Sequence, residues 1–107
     1  MIWWLRGNSE AGKTTLAKRV KDAIVLDGDE CRLVWNDLGM SESDRWSQNL
    51  RVARLAKLLH NQGYDIIVAV ICPYLALKEA IKEIIPEVKF ITVEGGRTPT
   101  KEYPFET

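Results

Sequence analysis

The stretch Gly7-Asn8-Ser9-Glu10-Ala11-Gly12-Lys13-Thr14 decides the fold, because it satisfies the phosphate-binding pattern G-x-x-x-x-G-K-[ST]. The pattern requires a strand before it and a helix after it, so that backbone N–H groups at the helix N-terminus point at phosphate oxygens. The apolar run Ile2-Trp3-Trp4-Leu5 stands before it, and Leu16, Ala17 and Val20 follow at helical spacing. Both requirements are met.

Strands and helices alternate along the rest of the chain. Further buried strands are predicted at 24–26, 64–71 and 89–93, with 64–71 in the centre of the sheet. Helices are predicted at 14–21, 43–62 and 75–85, the second one capped by Ser41 and stopped by Gly63. The expectation is an α/β P-loop NTPase fold in one domain, 1–107, with a parallel sheet of about four strands flanked by helices. Residues 94–107 should form an irregular tail.

Composition excludes several classes of function. Fifteen basic residues balance fifteen acidic ones over 107 residues, so no general field attracts nucleic acid or a membrane surface. Cys31 and Cys72 show no metal-ligand spacing and favour a reducing cytoplasm. No apolar run approaches the roughly 20 residues of a membrane helix. The expected partner is therefore a small-molecule nucleotide, bound locally.

The glycine-rich loop has a definite chemistry. Lys13 should reach the β- and γ-phosphates of ATP, and the Thr14 hydroxyl should ligate Mg²⁺. Glu10 would repel phosphates unless it points to solvent. The predicted ATP-binding residues are Gly7, Asn8, Ser9, Glu10, Ala11, Gly12, Lys13, Thr14 and Thr15.

Two carboxylates follow the second strand. A phosphoryl-transfer enzyme needs one group to orient or deprotonate the acceptor hydroxyl and another to help hold the metal. Asp27 and Lys13 are the candidate catalytic residues, and Asp27 and Thr14 are the candidate metal ligands. Asp29 is a candidate substrate contact. The alternative is a solvated acidic turn that caps a short helix at Asp29.

The long helix adds an anion-binding face. Arg45, Gln48 and Asn49 lie at i, i+3 and i+4, so a guanidinium and an amide can point together at an anionic nucleotide. The alternative for Arg45 is a solvated surface charge.

These motifs together resemble the adenylylsulfate (APS) kinases, from about Leu5 to Tyr74. The resemblance is carried by the phosphate loop, by Leu26-Asp27-Gly28-Asp29-Glu30-Cys31-Arg32, by Asp44-Arg45 and by Ile71-Cys72-Pro73-Tyr74. It implies ATP with Mg²⁺, phosphorylation of the 3′-hydroxyl of adenylylsulfate, and Asp27 as catalytic carboxylate. It also implies that Arg32 and Arg45 hold the phosphosulfate, and that Ile71, Cys72 and Pro73 line the acceptor's adenine pocket. Gln48 and Cys72 replace the family's asparagine and serine.

Family members continue after the fourth strand with a basic helical lid, so the resemblance implies a C-terminally truncated form without it. In one interpretation, Gly95-Gly96 forms a turn that brings Arg97 to the phosphates; in the other, the tail is frayed or packed on the surface. Two other functions stay open: phosphoryl transfer to another nucleotide, a nucleic-acid end or a small alcohol, and ATP-binding regulation without turnover. A homodimer is one expectation for the assembly.

Overall fold

The computed structural model describes residues 1–8 and 10–107, so the predicted loop residue Ser9 lies outside the described residues. Strands and helices alternate as expected. In chain order the elements are β1 (Ile2–Arg6), α1 (Lys13–Ala17), β2 (Ala23–Asp27), α2 (Gly28–Val34), α3 (Glu42–Asn61), β3 (Asp65–Ala69), α4 (Leu75–Ile84) and β4 (Lys89–Thr92).

The four strands form one parallel sheet in the order β2-β3-β1-β4. β3 therefore lies inside the sheet, which confirms its prediction as a central strand. In the register, Ala69 stands opposite both Asp27 of β2 and Leu5 of β1, and Arg6 stands opposite Thr92 of β4. The carboxyl ends of all four strands thus meet at one edge, where ligands bind in such sheets.

Helices cover both faces of the sheet. On β3, Ile66 and Val68 pack into the core on one face, and Ile67 and Ala69 pack into the core on the other. Side chains of α3 and α4 fill the first core, and Ala17 of α1 contributes to the second. This burial on both faces explains why the strands are continuous apolar runs instead of alternating ones.

Two helices differ from the prediction. α1 ends at Ala17 and not at Lys21, because the next residues form tighter i to i+3 bonds and Asp22 then turns the chain with φ 62°. The short helix α2 begins directly after Asp27, whose side chain accepts a hydrogen bond from the Glu30 N–H at 3.2 Å. The cap of this helix is therefore Asp27 and not Asp29.

The longest helix has the predicted ends. The Ser41 hydroxyl accepts a hydrogen bond from the Asp44 N–H at 3.1 Å, and Gly63 leaves the helix with φ 98°. Within the described part of the chain, no helix combines the length and the apolar character needed to cross a membrane. Residues 94–107 contain no helix or strand, as expected.

Candidate active site

The phosphate loop joins β1 to α1 at the carboxyl edge of the sheet. Gly7 has no room for a side chain, since a Cβ there would lie 2.7 Å from the Val93 carbonyl oxygen. Gly12 caps α1 with φ 90°, a conformation that favours glycine. The Asn8 carbonyl accepts hydrogen bonds from the Ala11 N–H at 3.2 Å and from Lys13 Nζ at 2.9 Å. The loop is thus folded around its own lysine.

Lys13 is almost completely buried, with 8% of its surface exposed. Burial lowers the pKa of its ammonium group, and the charges of Asp27 and Asp29 act in the opposite direction. An anion bound beside Lys13 would add to the favourable charges, so the loop is electrostatically suited to phosphate.

Thr14 and Asp27 meet between α1 and β2. The Thr14 hydroxyl donates a hydrogen bond to Asp27 Oδ1, while Asp27 Oδ2 caps α2. A hydroxyl and a carboxylate are the oxygen ligands that Mg²⁺ accepts beside substrate phosphates. These two residues therefore fit the predicted metal site, although the described residues hold no cluster of three or more His, Cys, Asp or Glu side chains.

A cavity of about 280 Å³ extends from the loop across the ends of β2 and β3. It brings together most of the side chains that the sequence predicted. The predicted residues in its wall are Asn8, Lys13, Thr14, Asp27, Asp29, Arg32, Arg45, Gln48, Asn49, Ile71 and Pro73. These residues follow β1, β2 and β3 or lie on α3, and the parallel register brings them to one edge of the sheet.

Arg45 and Asn49 line this cavity, and each has one buried polar atom without a partner among the described residues. Arg45 Nη2 donates to Tyr74 Oη at 2.7 Å, while its Nε is unsatisfied. Asn49 Nδ2 donates to the Ile71 carbonyl at 3.1 Å, while its Oδ1 is unsatisfied. Buried polar atoms of this kind are costly unless a ligand or water satisfies them.

Gln48 and Arg32 have partners within the protein. Gln48 accepts a hydrogen bond from Trp35 Nε1 at 2.6 Å and donates to the Gly28 carbonyl at 3.2 Å. Arg32 Nη1 donates to the carbonyls of Leu38 and Gly39 at 3.2 and 3.0 Å. Both residues line the cavity, but these bonds also hold α2 and the loop that follows it.

The expectation for Cys72 needs correction. Its side chain is fully buried in the hydrophobic core and does not line the cavity, whereas Ile71 and Pro73 do. Burial raises the pKa of the Cys72 thiol to about 11, so it stays neutral. Successive side chains of an extended segment point to opposite sides, which turns Cys72 away from the ligand side.

The predicted ATP-binding residues Glu10 and Thr15 are exposed. Glu10 Oε2 lies 3.5 Å from Arg97 Nε, so the loop carboxylate faces an arginine of the tail. Gly95 and Gly96 adopt φ 97° and 79°, and Asn8 Nδ2 donates to the Arg97 carbonyl at 2.8 Å. Both glycines thus have the positive φ expected of them, and Arg97 lies beside the phosphate loop, where its side chain is exposed and pairs with Glu10.

Three further residues belong to this edge. Tyr103 and Pro104 of the tail line the cavity, and Arg6 of β1 is almost completely buried. The sequence predicted no role for Arg6. An arginine inside a buried strand, next to a phosphate loop, is the signal that could have identified it, because charged residues are rarely buried without a specific partner.

The sheet order, the glycine-rich loop and the cavity at the carboxyl edge define a P-loop nucleotide-binding protein. The sequence profile of the adenylylsulphate kinase family matches residues 1–100, and the chain belongs to this family.

Individual relatives agree with this assignment. The adenylyl-sulfate kinase of Paraburkholderia xenovorans is 44% identical over 95 residues, which are 80% of this chain and 53% of that protein. That of Acaryochloris marina is 38% identical over 101 residues, which are 86% of this chain and 49% of that protein. This chain superimposes on the structure of the Mycobacterium tuberculosis APS kinase CysC in complex with AMPPNP and APS with a TM-score of 0.74 and 28% identity. The match covers 85% of this chain and 59% of that one. The chain spans about half the length of the curated relatives it matches.

Proposed function

We propose that this chain carries out Mg-ATP-dependent phosphorylation of the 3′-hydroxyl of adenylylsulfate. One observation carries the proposal: residues of the phosphate loop and the polar residues Arg45 and Asn49 line the same cavity. A kinase needs a donor site and an acceptor site that share one space, because the two reacting oxygens must lie roughly in line with the transferred phosphorus.

On the donor side, Lys13 and the loop N–H groups bind the phosphates of ATP. Thr14 and Asp27 are the proposed ligands of Mg²⁺, which when bound neutralises charge that develops on the phosphates. Lys13 is buried and has a lowered pKa, so the phosphates replace the solvation that its ammonium group has lost. The role of the whole loop, from Gly7 to Thr15, stays a prediction.

On the acceptor side, Arg45 binds the phosphosulfate, with Arg32 nearby and Asp29 at the rim. Asn49 lines this side of the cavity, while Ile71 and Pro73 supply an apolar wall for the acceptor's adenine. Gln48 is held in this part of the site by its hydrogen bonds with Trp35 and with the Gly28 carbonyl.

Asp27 serves as the base. As the 3′-oxygen forms its bond to the γ-phosphorus, the carboxylate accepts the hydroxyl proton and the bond from that phosphorus to the bridging oxygen breaks. ADP leaves with that oxygen, and the proton passes from Asp27 to solvent. The relative solved with AMPPNP and APS supports this choice of donor and acceptor.

One experiment distinguishes the proposed function from another kinase activity and from ATP-binding regulation without turnover. It is a coupled assay for ADP with the purified chain, ATP, Mg²⁺ and a panel of acceptors. Adenylylsulfate should give the highest kcat/KM. A higher value for another nucleotide, a nucleic-acid end or a small alcohol would assign another kinase activity. ATP binding without ADP formation for any acceptor would indicate a regulatory protein. The cytoplasmic location and the homodimer stay predictions; light scattering tests the second.

A further inference from the structure

Arg6 is a buried arginine with an unusual set of partners. Only 1% of the surface of Arg6 is exposed. Its Nε donates a hydrogen bond to the Cys72 carbonyl at 2.6 Å, and its Nη2 donates one to the Glu106 carbonyl. The guanidinium carbon lies 4.4 Å from the centroid of the Phe105 ring. Each of these partners is neutral, although a buried charge is costly unless its donors are satisfied. The tail supplies two of the three partners, so the burial of Arg6 and the docking of the tail depend on each other.

Glu106 is held at two more points. Its N–H donates to the Pro73 carbonyl at 2.8 Å, and its carboxylate accepts a hydrogen bond from the Leu75 N–H at 2.8 Å. Leu75 begins α4, whose first N–H groups have no partner within the helix, so the carboxylate occupies a favourable position there. The tail is therefore fixed to β1, to the segment between β3 and α4 and to α4 itself around this one residue.

A second arginine holds the tail four residues earlier. Arg45 Nη2 donates to the Glu102 carbonyl at 3.3 Å, and its guanidinium lies 5.2 Å from the centroid of the Tyr103 ring. Tyr103 and Pro104 line the same cavity as Asn49 and Ile71. The position of this wall depends on where the tail is fixed at either end.

We propose that Arg6 and Phe105 are positioning residues for the acceptor: their contact fixes the tail so that Tyr103 and Pro104 form one wall of the acceptor half of the cavity. The proposal rests on the proposed function for the identity of the acceptor. It predicts that loosening the tail weakens acceptor binding while ATP binding, which depends on the phosphate loop, stays the same. A purely structural role would not separate the two substrates.

The test uses Phe105→Ala in the full chain, since Phe105 is only half-buried and its replacement leaves the core intact. Phe105→Tyr keeps the aromatic face and is the rescue variant, and Lys101→Ala changes an exposed tail residue as the control. Two quantities are measured: hydrogen exchange of the Glu106 amide, and the KM values for adenylylsulfate and for ATP. Because Arg6 is in the core, Arg6→Met serves as a second variant once its thermal melt shows a cooperative transition.

Phe105→Ala should speed exchange of the Glu106 amide about fivefold or more, and raise the KM for adenylylsulfate by a similar factor, as expected for loss of a cation–π contact. The KM for ATP should stay within about twofold, and Phe105→Tyr should restore both wild-type values. Unchanged exchange, an unchanged acceptor KM despite faster exchange, or equal increases in both KM values would overturn the proposal. If the intact chain does not phosphorylate adenylylsulfate, the proposed function fails; the tail contact is then judged by Glu106 exchange alone, where an unchanged rate overturns it.

Discussion

The hydroxyl of Thr14 donates a hydrogen bond to Oδ1 of Asp27, and this contact ties the first turn of α1 to the carboxyl end of β2. The other carboxylate oxygen of Asp27 caps α2. One carboxylate therefore contacts the first turn of α1 and also caps α2, whose residues Asp29 and Arg32 line the cavity. The proposed base is thus held at two points beside the phosphate loop.

Asp27→Asn should abolish turnover but leave ATP affinity within a small factor, because a base or a metal-orienting carboxylate acts mainly in the transition state. Asparagine is also a good N-cap, so α2 should persist. Steady-state kinetics and calorimetry measure the two effects. Asp65→Asn, at the opposite edge of the sheet, is the matched control and should change neither. Retained turnover in Asp27→Asn would remove Asp27 from the catalytic step and leave Asp29 as the candidate.

Lys13→Ala should abolish tight ATP binding and leave the fold intact, since the lysine donates charge to phosphate and its ammonium is not part of either apolar core. Isothermal calorimetry measures the affinity and a thermal melt checks the fold. Lys18→Ala, an exposed lysine just beyond α1, is the control. Unchanged ATP affinity in Lys13→Ala would refute the phosphate site.

ATP affinity should fall at alkaline pH, starting below the ordinary lysine pKa of 10.5, because burial lowers the pKa of Lys13. Only the ammonium form attracts phosphate. Affinity should therefore be constant below the lowered pKa and fall about tenfold per pH unit above it. Bound phosphates raise the pKa again, so binding near that pKa takes up protons. Calorimetry in two buffers of different ionisation enthalpy measures this uptake, which the control Lys18→Ala should retain; binding without proton uptake across the alkaline range would contradict the role of Lys13.

Much of this site could be predicted from the sequence because its signals are local. The loop pattern, the apolar runs of the strands and the Ser41 cap each depend on residues that are close in the chain. Asp27 could be placed beside the phosphate loop because parallel strands present their carboxyl ends at one edge, whereas Arg45 was predicted from its helix face and from the family resemblance.

The remaining features depend on contacts between distant segments. Arg6 and Glu106 are 100 residues apart, and nothing in the irregular composition of the tail indicates where it docks. Cys72 shows a different limit: its position in a motif is visible in the sequence, but the side to which its side chain points is set by the backbone of the extended segment.

Arg97→Ala should lower kcat strongly, by roughly 10³-fold if its guanidinium stabilises the transferring group as an arginine finger does. Its ion pair with Glu10 is exposed on both sides, 69% and 68%, so the thermal stability should hardly change. Lys101→Ala, in the same tail, is the control. Removal of residues 97–107 with retained folding and undiminished turnover would show that the tail does not replace a lid.

The most direct test of the whole account is to identify the product formed from ATP and adenylylsulfate, by mass spectrometry and phosphorus NMR. The account predicts one additional phosphate on the 3′-oxygen of adenylylsulfate and one ADP per product, with neither formed by Asp27→Asn. ADP formation at the same rate with and without adenylylsulfate, or an unmodified acceptor after prolonged incubation of chain that binds ATP, would contradict it.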